Sequence, residues 1–558
     1  MTQILTTRLS GVVPNLIHQD QAGFIKGRRI EDQTELAKLM LNKCEADEEN
    51  GVIVCLDQEK AYDKICHDFI WKSLEKYQFP EHFIKTIRAL YTNAETVIII
   101  NGVISSAYHV TRGVWQGDPL SCLIFNLAIE SLASMLRNST LKGFKIKCNT
   151  DRLITTLFAD DTTVYLSQQD NFADLQQILL KWCHVSGAKF NVQKTVIIPI
   201  GTPQYQELVC QSRKMSPEHP RIPDSIQIAK DGTPTRMLGA FIGNGLEEIS
   251  IWTPTLEKIN SQLKIWNRNH PTQDGRRLVI NMEIAARTQY LTRVQGMPKE
   301  VEQTLTKTIR NFMWDDQKPM ISLDTIEKPH LKGGKKVLDL LSRNEAIELM
   351  KTKAYLNLGP NRPRWAYVAD SLINKNIPKS QRVSDERSKE NMFLQNWSTT
   401  VRQGKTSLPQ SLRRMLGVAK KYNVGIKPLL PNGALKNNMP IWHHIGSDPH
   451  KRPQNNSALA RCLRNKHKIL TTGELYNFAM EILPPCHNGH KNCACQPCKR
   501  IANLGCNHTV TILVSVEQKV GKLYKHYCLS GTQPCLAMMT ILTLPQNKLN
   551  KMRLRYQT

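Results

Sequence analysis

Two apolar, β-branched runs in this chain each end in a carboxylate: Gly51-Val-Ile-Val-Cys-Leu-Asp57 and Leu153-Ile-Thr-Thr-Leu-Phe-Ala-Asp-Asp161. Runs of this kind read as buried strands, and a buried strand delivers the residue at its end to a surface. The second run continues into Thr162-Thr-Val-Tyr-Leu166, so an Asp-Asp turn is predicted to join two strands. An Asp-Asp pair alone is ordinarily a solvated turn, and its surroundings decide its meaning. Between the two runs lies Arg112-Gly-Val-Trp-Gln-Gly-Asp-Pro-Leu-Ser121, a turn-rich stretch opening an apolar helix predicted from about Pro119 to Leu136. Proline in the first helical turn costs no hydrogen bond. A second, amphipathic helix is predicted from about Asn171 to Ser186, and Lys194-Thr-Val-Ile-Ile-Pro-Ile200 reads as another strand. The order β, α, β, β, α, β is the split βαβ plan: an α+β fold with an antiparallel sheet and both helices on one face.

That plan sets Asp57 on a strand beside the hairpin carrying Asp160 and Asp161. Carboxylates crowded in this way repel one another and tend to hold a proton unless divalent cations neutralise them. Hard cations such as Mg²⁺ take carboxylate oxygens together with substrate phosphates, so the arrangement suits a site for two such ions.

Further stretches then resemble one family. Leu56-Asp-Gln-Glu-Lys-Ala-Tyr-Asp-Lys64, Arg112 to Ser121 and Phe158-Ala-Asp-Asp161 are similar to three successive motifs of reverse transcriptases, in the version carried by non-LTR, LINE-type retrotransposons. Gln21-Ala-Gly-Phe-Ile-Lys-Gly-Arg28, with Asp32-Gln33 after it, resembles the fingers motif that precedes them. Ser186-Gly-Ala-Lys-Phe-Asn-Val-Gln-Lys-Thr195 resembles the next motif, and Met237-Leu-Gly-Ala-Phe-Ile-Gly243 the primer-grip hairpin. The resemblance covers residues 1 to about 340 and rests on six motifs in order.

The resemblance implies a right-hand polymerase palm that extends a primer 3′-hydroxyl with dNTPs on an RNA template. Asp57 and Asp160 are similar in position to the ligands of both metals, and Asp161 to a less direct third. Tyr62 matches a steric gate that excludes a ribose 2′-hydroxyl, although a tyrosine here also reads as a core aromatic. Gln116 and Gly117 match the loop supporting the templating base pair, and Lys194 the lysine that protonates the leaving pyrophosphate. Asp63 and Asp118 are read as hydrogen-bonding residues rather than ligands. Cys122 replaces the proline usual after Leu-Ser, and Trp115 stands where a basic residue is common. The sequence starts just after the position where the family carries an upstream lysine that holds the triphosphate. Arg8 matches a second basic residue of that cluster. A fragment lacking the endonuclease and the start of the fingers is therefore expected, and an inactive, element-derived nucleic-acid-binding remnant is the competing reading.

The chain has 75 Lys and Arg against 48 Asp and Glu in 558 residues, a formal net charge of +27. Such an excess supplies salt-sensitive attraction to phosphate backbones, here an RNA template and a DNA primer or target. No apolar run of membrane-spanning length and no secretory leader is legible, so an intracellular and, for target-primed insertion, nuclear protein is expected without a membrane partner. The oligomeric state is not legible. The expected organisation is fingers and palm over 1–245, a helical thumb over 246–340, a helical connecting region over 341–480, a Cys/His-rich knuckle over 481–530 and an unpatterned tail over 531–558. In the thumb, Trp252, Trp266 and Trp314 read as core, and Gly275-Arg-Arg277 as a turn that tracks the duplex. In the knuckle, Cys486, Cys493, Cys495, Cys498, Cys506 and His508 are dense enough to point to Zn²⁺, with any four completing a tetrahedron. From Cys486 onward there are ten Lys and Arg against one Glu, which suits nucleic-acid binding.

Overall fold

The computed structural model describes residues 2–146, 152–357, 359, 361–376, 408–424, 442, 458–471, 473–475, 477–478 and 496–504. The chain divides into two compact units, Met1–Ile347 with Arg362–Val368, and Glu348–Asn361 with Ala369–Thr558.

The first unit opens with helices α1 (Thr2–Leu16) and α2 (Ile30–Asp47), then strand β1 (Gly51–Leu56) and helices α3 (Ala61–Lys64), α4 (His67–Lys76) and α5 (Glu81–Tyr91). Two-residue strands β2 (Glu95–Thr96), β3 (Ile99–Ile100), β4 (Val103–Ile104) and β5 (Tyr108–His109) form an outlying ribbon. Helix α6 (Pro119–Arg137) follows, then β6 (Phe144–Lys145), β7 (Arg152–Leu153), β8 (Thr155–Phe158), β9 (Asp161–Ser167), α7 (Phe172–Ser186) and β10 (Val196–Ile200). After α8 (Pro203–Ser212) come β11 (Gln227–Ile228) and a hairpin of β12 (Thr235–Met237) and β13 (Ala240–Ile242).

The main sheet has the order β11-β10-β1-β9-β8, antiparallel except where β11 runs parallel to β10. With β1 between β10 and β9 and β8 outside, this is the expected split βαβ arrangement. Both α6 and α7 pack on one face, where Val52, Val54, Leu56, Val164 and Ile197 meet Leu127, Leu175 and Trp182 in one core. The indole of Trp182 donates to Ser131 Oγ at 2.9 Å and ties α7 to α6. Ile53, Tyr165 and Ile198 point to the other face and are also buried, and α2 lies against β10 and β13. Burial on both faces is why β1 reads as a continuous apolar run rather than an alternating one.

Local chemistry sets the ends of these elements. Asp118 caps α6 by accepting from Leu120 N at 3.1 Å, and Asn171 caps α7 by accepting from Ala173 N at 2.9 Å. Among the described helices, only α6 is long and apolar enough to cross a membrane, and most of it is buried inside the unit as a core helix.

Four expectations need correction. The turn between β8 and β9 is Ala159-Asp160 rather than Asp160-Asp161, since Phe158 pairs with Asp161 as the first residue of β9. The Arg152–Leu153 segment belongs to a separate ribbon with β6, so β8 begins at Thr155. Lys194 does not start a strand: Val192–Lys194 is a single 3-10 turn whose Asn191 cap accepts from Lys194 N at 3.3 Å, and β10 begins at Val196.

Helices α9 (Glu248–Asn267), α10 (Gln273–Val279), α11 (Ala286–Gln295) and α12 (Lys299–Met313) build a second core within this unit, with a π-helical turn Ile280–Ala285 joining α10 to α11. Trp252 is fully buried there, while Trp266 and Trp314 pack against it, so all three are core residues as expected. Gly275-Arg-Arg277 is helical, not a turn. Arg276 is buried, pairs with Asp315 at 3.2 Å and donates to Asn267 Oδ1 and Phe312 O, each at 2.7 Å, so it serves the core rather than a duplex.

The second unit is described for the end of the helix Leu340–Tyr355, most of the helix Arg364–Asn376, and the helices Gln410–Lys421, Ala458–Asn465 and Gln496–Asn503. In it, the Tyr355 hydroxyl donates to Asp370 at 2.8 Å, and buried Trp442 donates to Ile469 O at 2.7 Å beneath Arg464.

Candidate active site

Asp57 follows the last residue of β1, whose pairing runs Cys55 to Thr163 and Leu56 to Thr162. Continuing that register by one residue sets Asp57 opposite Asp161, with Asp160 in the turn beside them. The sheet therefore brings the three predicted carboxylates together at one edge. Burial and the nearby Asp57 charge push the Asp160 carboxyl up, with a backbone hydrogen bond working against them. Asp161 keeps an exposed outer face. Shielding by the surrounding chain, with Asp160 and Asp57 beside it, still pushes its carboxyl up to about 6. A site that raises carboxylate pKa values through burial first and like charge second is one that a divalent cation relieves.

Among the described residues no group of three or more His, Cys, Asp or Glu side chains is arranged to hold a cation by itself. The donor set still fits Mg²⁺, which takes one or two protein carboxylates and completes its octahedron with phosphate and water oxygens. Asp57 and Asp160 are the pair that could serve such a cation.

The backbone around these carboxylates is pinned from several directions. Gln58 Nε2 donates to Asp160 O at 3.3 Å, and Asn191 N donates to Asp57 O at 2.7 Å. The second bond brings the turn carrying Lys194 to the site, where its Nζ lies 3.8 Å from Asp57 Oδ2. Lys194 reaches the site from a turn rather than a strand, and its side chain stays mostly in solvent.

Tyr62 is half-buried and stacks on Phe125 of α6, with ring centroids 4.5 Å apart and planes at 18°. Its hydroxyl is buried beside the Cys122 thiol, a weak hydrogen-bonding partner, and near Asp160. Burial pushes the phenol well above its usual pKa. Cys122, the departure from the family pattern, thus neighbours Tyr62.

The loop preceding α6 is fastened to the same strand–helix segment. Val114 N donates to Tyr62 O at 2.7 Å and Gly113 N to Ile65 O at 2.7 Å. A Cβ on Gly113 would sit 2.6 Å from Tyr62 O, so only glycine permits this approach. Gln116 is exposed, and its Nε2 reaches Asp63 Oδ1 at 3.4 Å, while Gly117 adopts φ +93°. Asp63 and Asp118 are thereby hydrogen-bonding residues, as read. Arg8 lies on the exposed face of α1, the helix that packs on α6.

Sequence reasoning assigned no role to Gly113, Gln58, Asn191 or Phe125; their signal was confined to membership of, or nearness to, the quoted motifs. Of the knuckle, Cys486, Cys493, Cys495, Cys506 and His508 lie outside the described residues, and Cys498 falls on the helix Gln496–Asn503.

Residues 1–233 match the family described as reverse transcriptase (RNA-dependent DNA polymerase). The chain carries a reverse transcriptase domain. The relatives it matches include proteins of transposable elements. The transposon TX1 uncharacterized 149 kDa protein of Xenopus laevis is 25% identical over 67% of this chain and 28% of its own length. A retrovirus-related Pol polyprotein from a type-2 retrotransposable element of Drosophila melanogaster is 28% identical over 38% of this chain and 20% of its own length. The chain thus spans under a third of the length of either relative. A solved structure of telomerase from Candida albicans with a fragment of telomeric RNA aligns over 63% of this chain and 54% of that one. It has 12% identity and a TM-score of 0.27.

Proposed function

We propose that this chain is an RNA-directed DNA polymerase of a non-LTR retrotransposon, joining a primer 3′-hydroxyl to the α-phosphate of a dNTP on an RNA template. The observation that carries the reading is the meeting of Asp57, at the end of β1, with Asp160 in the turn of the neighbouring hairpin, where burial and then the Asp57 charge raise the Asp160 carboxyl. Two Mg²⁺ ions, when bound, would supply activation of the 3′-hydroxyl and charge stabilisation at the departing pyrophosphate. Asp57 and Asp160 hold that charge in place, and Asp161 supports them less directly.

The remaining residues orient and select. The Tyr62 ring, braced by Phe125, fills the volume a ribose 2′-hydroxyl would need, and exclusion by a wall discriminates more strongly than one missing contact. Gln116 and Gly117 support the templating pair from a loop bonded to Tyr62 and Asp63. Lys194, beside Asp57, holds a proton for the pyrophosphate oxygen. Arg8 is assigned to the incoming triphosphate by its place in the motif order alone. The partners are an RNA template, a DNA primer or target and dNTPs, and nuclear insertion is the setting. The cysteine cluster from Cys486 to His508 is assigned Zn²⁺ and nucleic-acid binding by its density and the basic residues around it.

A poly(rA)/oligo(dT) extension assay with dTTP and Mg²⁺ tests the reading. Template-dependent incorporation is expected. Retention of the duplex without incorporation would instead make the chain a nucleic-acid-binding remnant.

A further inference from the structure

Gln21 belongs to the segment Gln21-Ala-Gly-Phe24, which the mechanism above does not use, yet its side chain is fully buried and committed to the catalytic hairpin. Gln21 Oε1 accepts from Ala159 N at 2.8 Å and from Gly23 N at 2.8 Å, while Nε2 donates to Ala159 O at 3.2 Å. One side-chain amide therefore satisfies both backbone groups of the residue that precedes Asp160. The flanking backbone continues the pairing, with Leu157 N donating to Asp20 O and Ala22 N to Leu157 O, each at 2.8 Å.

The approach is as close as chain geometry allows. A Cβ on Gly23 would collide with Ala159 N, and Asn126 of α6 donates to Gly23 O at 2.6 Å to hold that glycine in place. Ala159 itself sits at φ +57°, in the left-handed region that an L-residue resists and glycine enters freely. It occupies the first position of a two-residue hairpin loop, where primed turns favour glycine. An alanine kept there needs something to hold it, and a strained residue beside a catalytic group persists only where its surroundings over-determine it.

We propose that Gln21 is a positioning residue for Asp160. Its amide acts as a short extra strand along the hairpin edge, holds Ala159 left-handed and so sets the direction in which the Asp160 carboxylate leaves the turn. Gln58, bonded to Asp160 O, fixes the turn from its other flank. The clamp is itself anchored. Gln33 Nε2 donates to Asp20 O at 2.8 Å, and the buried Asp20 carboxylate pairs with Arg364, whose neighbour Trp365 donates to Asp32 at 2.7 Å. The inference rests on the polymerase reading in that Asp160 is taken as a metal ligand.

Mn²⁺ binding to the full chain, followed by electron paramagnetic resonance without substrate, tests the proposal independently of primer extension. Gln21→Met keeps the volume and removes all three bonds. It is expected to weaken Mn²⁺ roughly tenfold or more, as loss of a ligand's supporting hydrogen bonds does. In primer extension kcat falls with it while KM for dNTP stays near the parental value. Adding Ala159→Gly to Gln21→Met should recover most of the loss, because glycine holds positive φ unaided. A general packing defect would not be relieved by that second change. Should Gln21→Met fail to fold, Gln21→Glu read at about pH 8 or above carries the test: its carboxylate keeps the acceptor for Ala159 N and Gly23 N and, once ionised, loses the donated bond and adds a buried charge; a loss that deepens as pH rises, again relieved by Ala159→Gly, is expected. Parental Mn²⁺ affinity in a folded Gln21 variant, or a loss that Ala159→Gly leaves in place, overturns the proposal. A parent that loses Mn²⁺ on Asp160→Ala yet extends no primer overturns the polymerase reading and leaves this comparison standing.

Discussion

At the scale of single residues, several side chains carry a cost that makes sense only if something else uses them. Asp160 and Asp161 face each other and Asp57 across one strand end, and their carboxyls are raised by shielding and like charge. Asp161, the less direct member, should tolerate Asn with partial activity where Asp57→Ala does not; equal losses in steady-state extension would erase the distinction. Tyr62 offers a cleaner separation of packing from selection. Its hydroxyl has only the weakly bonding Cys122 thiol beside it, so Tyr62→Phe should change stability by no more than about 1 kcal/mol and keep dNTP selection. Tyr62→Ala should admit ribonucleotides, and a mutant that rejects them as the parent does would reduce Tyr62 to a core ring on Phe125. Asp32 tests the electrostatics by pH. Burial pushes its carboxyl from 3.8 to about 6, opposed by the Trp365 hydrogen bond. Between those values the folded chain binds more protons than the unfolded one, so this group's contribution falls as pH rises and its penalty is complete above about 6. Asp32→Asn should therefore raise the denaturation midpoint by about 1 kcal/mol near pH 8 and leave it unchanged near pH 4. The group is only partly buried, which limits the gain, and a pH-independent effect would refute the assignment.

At the scale of elements, helix α6 does two jobs, as the core beneath the sheet and as the shelf that carries Phe125 and Cys122 under Tyr62. Its Asp118 cap stands at the junction, and Asp118→Ala should cost about 1 kcal/mol by loss of the bond from Leu120 N, read from the unfolding midpoint. The α6 and α7 boundaries were legible because caps, a proline at the first turn and apolar periodicity are local signals. The strand order followed from the same local patterns. What the sequence left hidden was set by partners far along the chain. The hairpin turn falls at Ala159-Asp160 because Gln21, 138 residues away, binds both backbone groups of Ala159. Lys194 sits in a turn because the Asn191 side chain caps it, while Asn191 N ties that turn to Asp57. Arg276 looked like a duplex-tracking residue and is instead drawn into the core by Phe312 O and Asp315. The three carboxylates were legible since they follow apolar runs in the sequence; the residues that aim them were not, since a glutamine or an alanine carries no chemistry of its own.

At the scale of the whole molecule, a net charge of +27 on 558 residues makes binding to nucleic acid a salt-dependent property of the full chain. The logarithm of the affinity for a primer–template duplex should fall linearly with the logarithm of salt concentration. A flat dependence would remove phosphate contacts from the account. The purified full chain is expected to carry one zinc ion, and a metal-free chain with freely reactive cysteines would make the cluster from Cys486 to His508 a basic segment only. The central claim, however, is that Asp57 and Asp160 together form the catalytic metal site of a polymerase. Primer extension on poly(rA)/oligo(dT), run side by side for the parent, Asp57→Ala and Asp160→Ala with folding checked by circular dichroism, tests it most directly. The account predicts dTTP incorporation by the parent and background levels from both folded mutants, whereas extension by folded Asp160→Ala at the parental rate would contradict it.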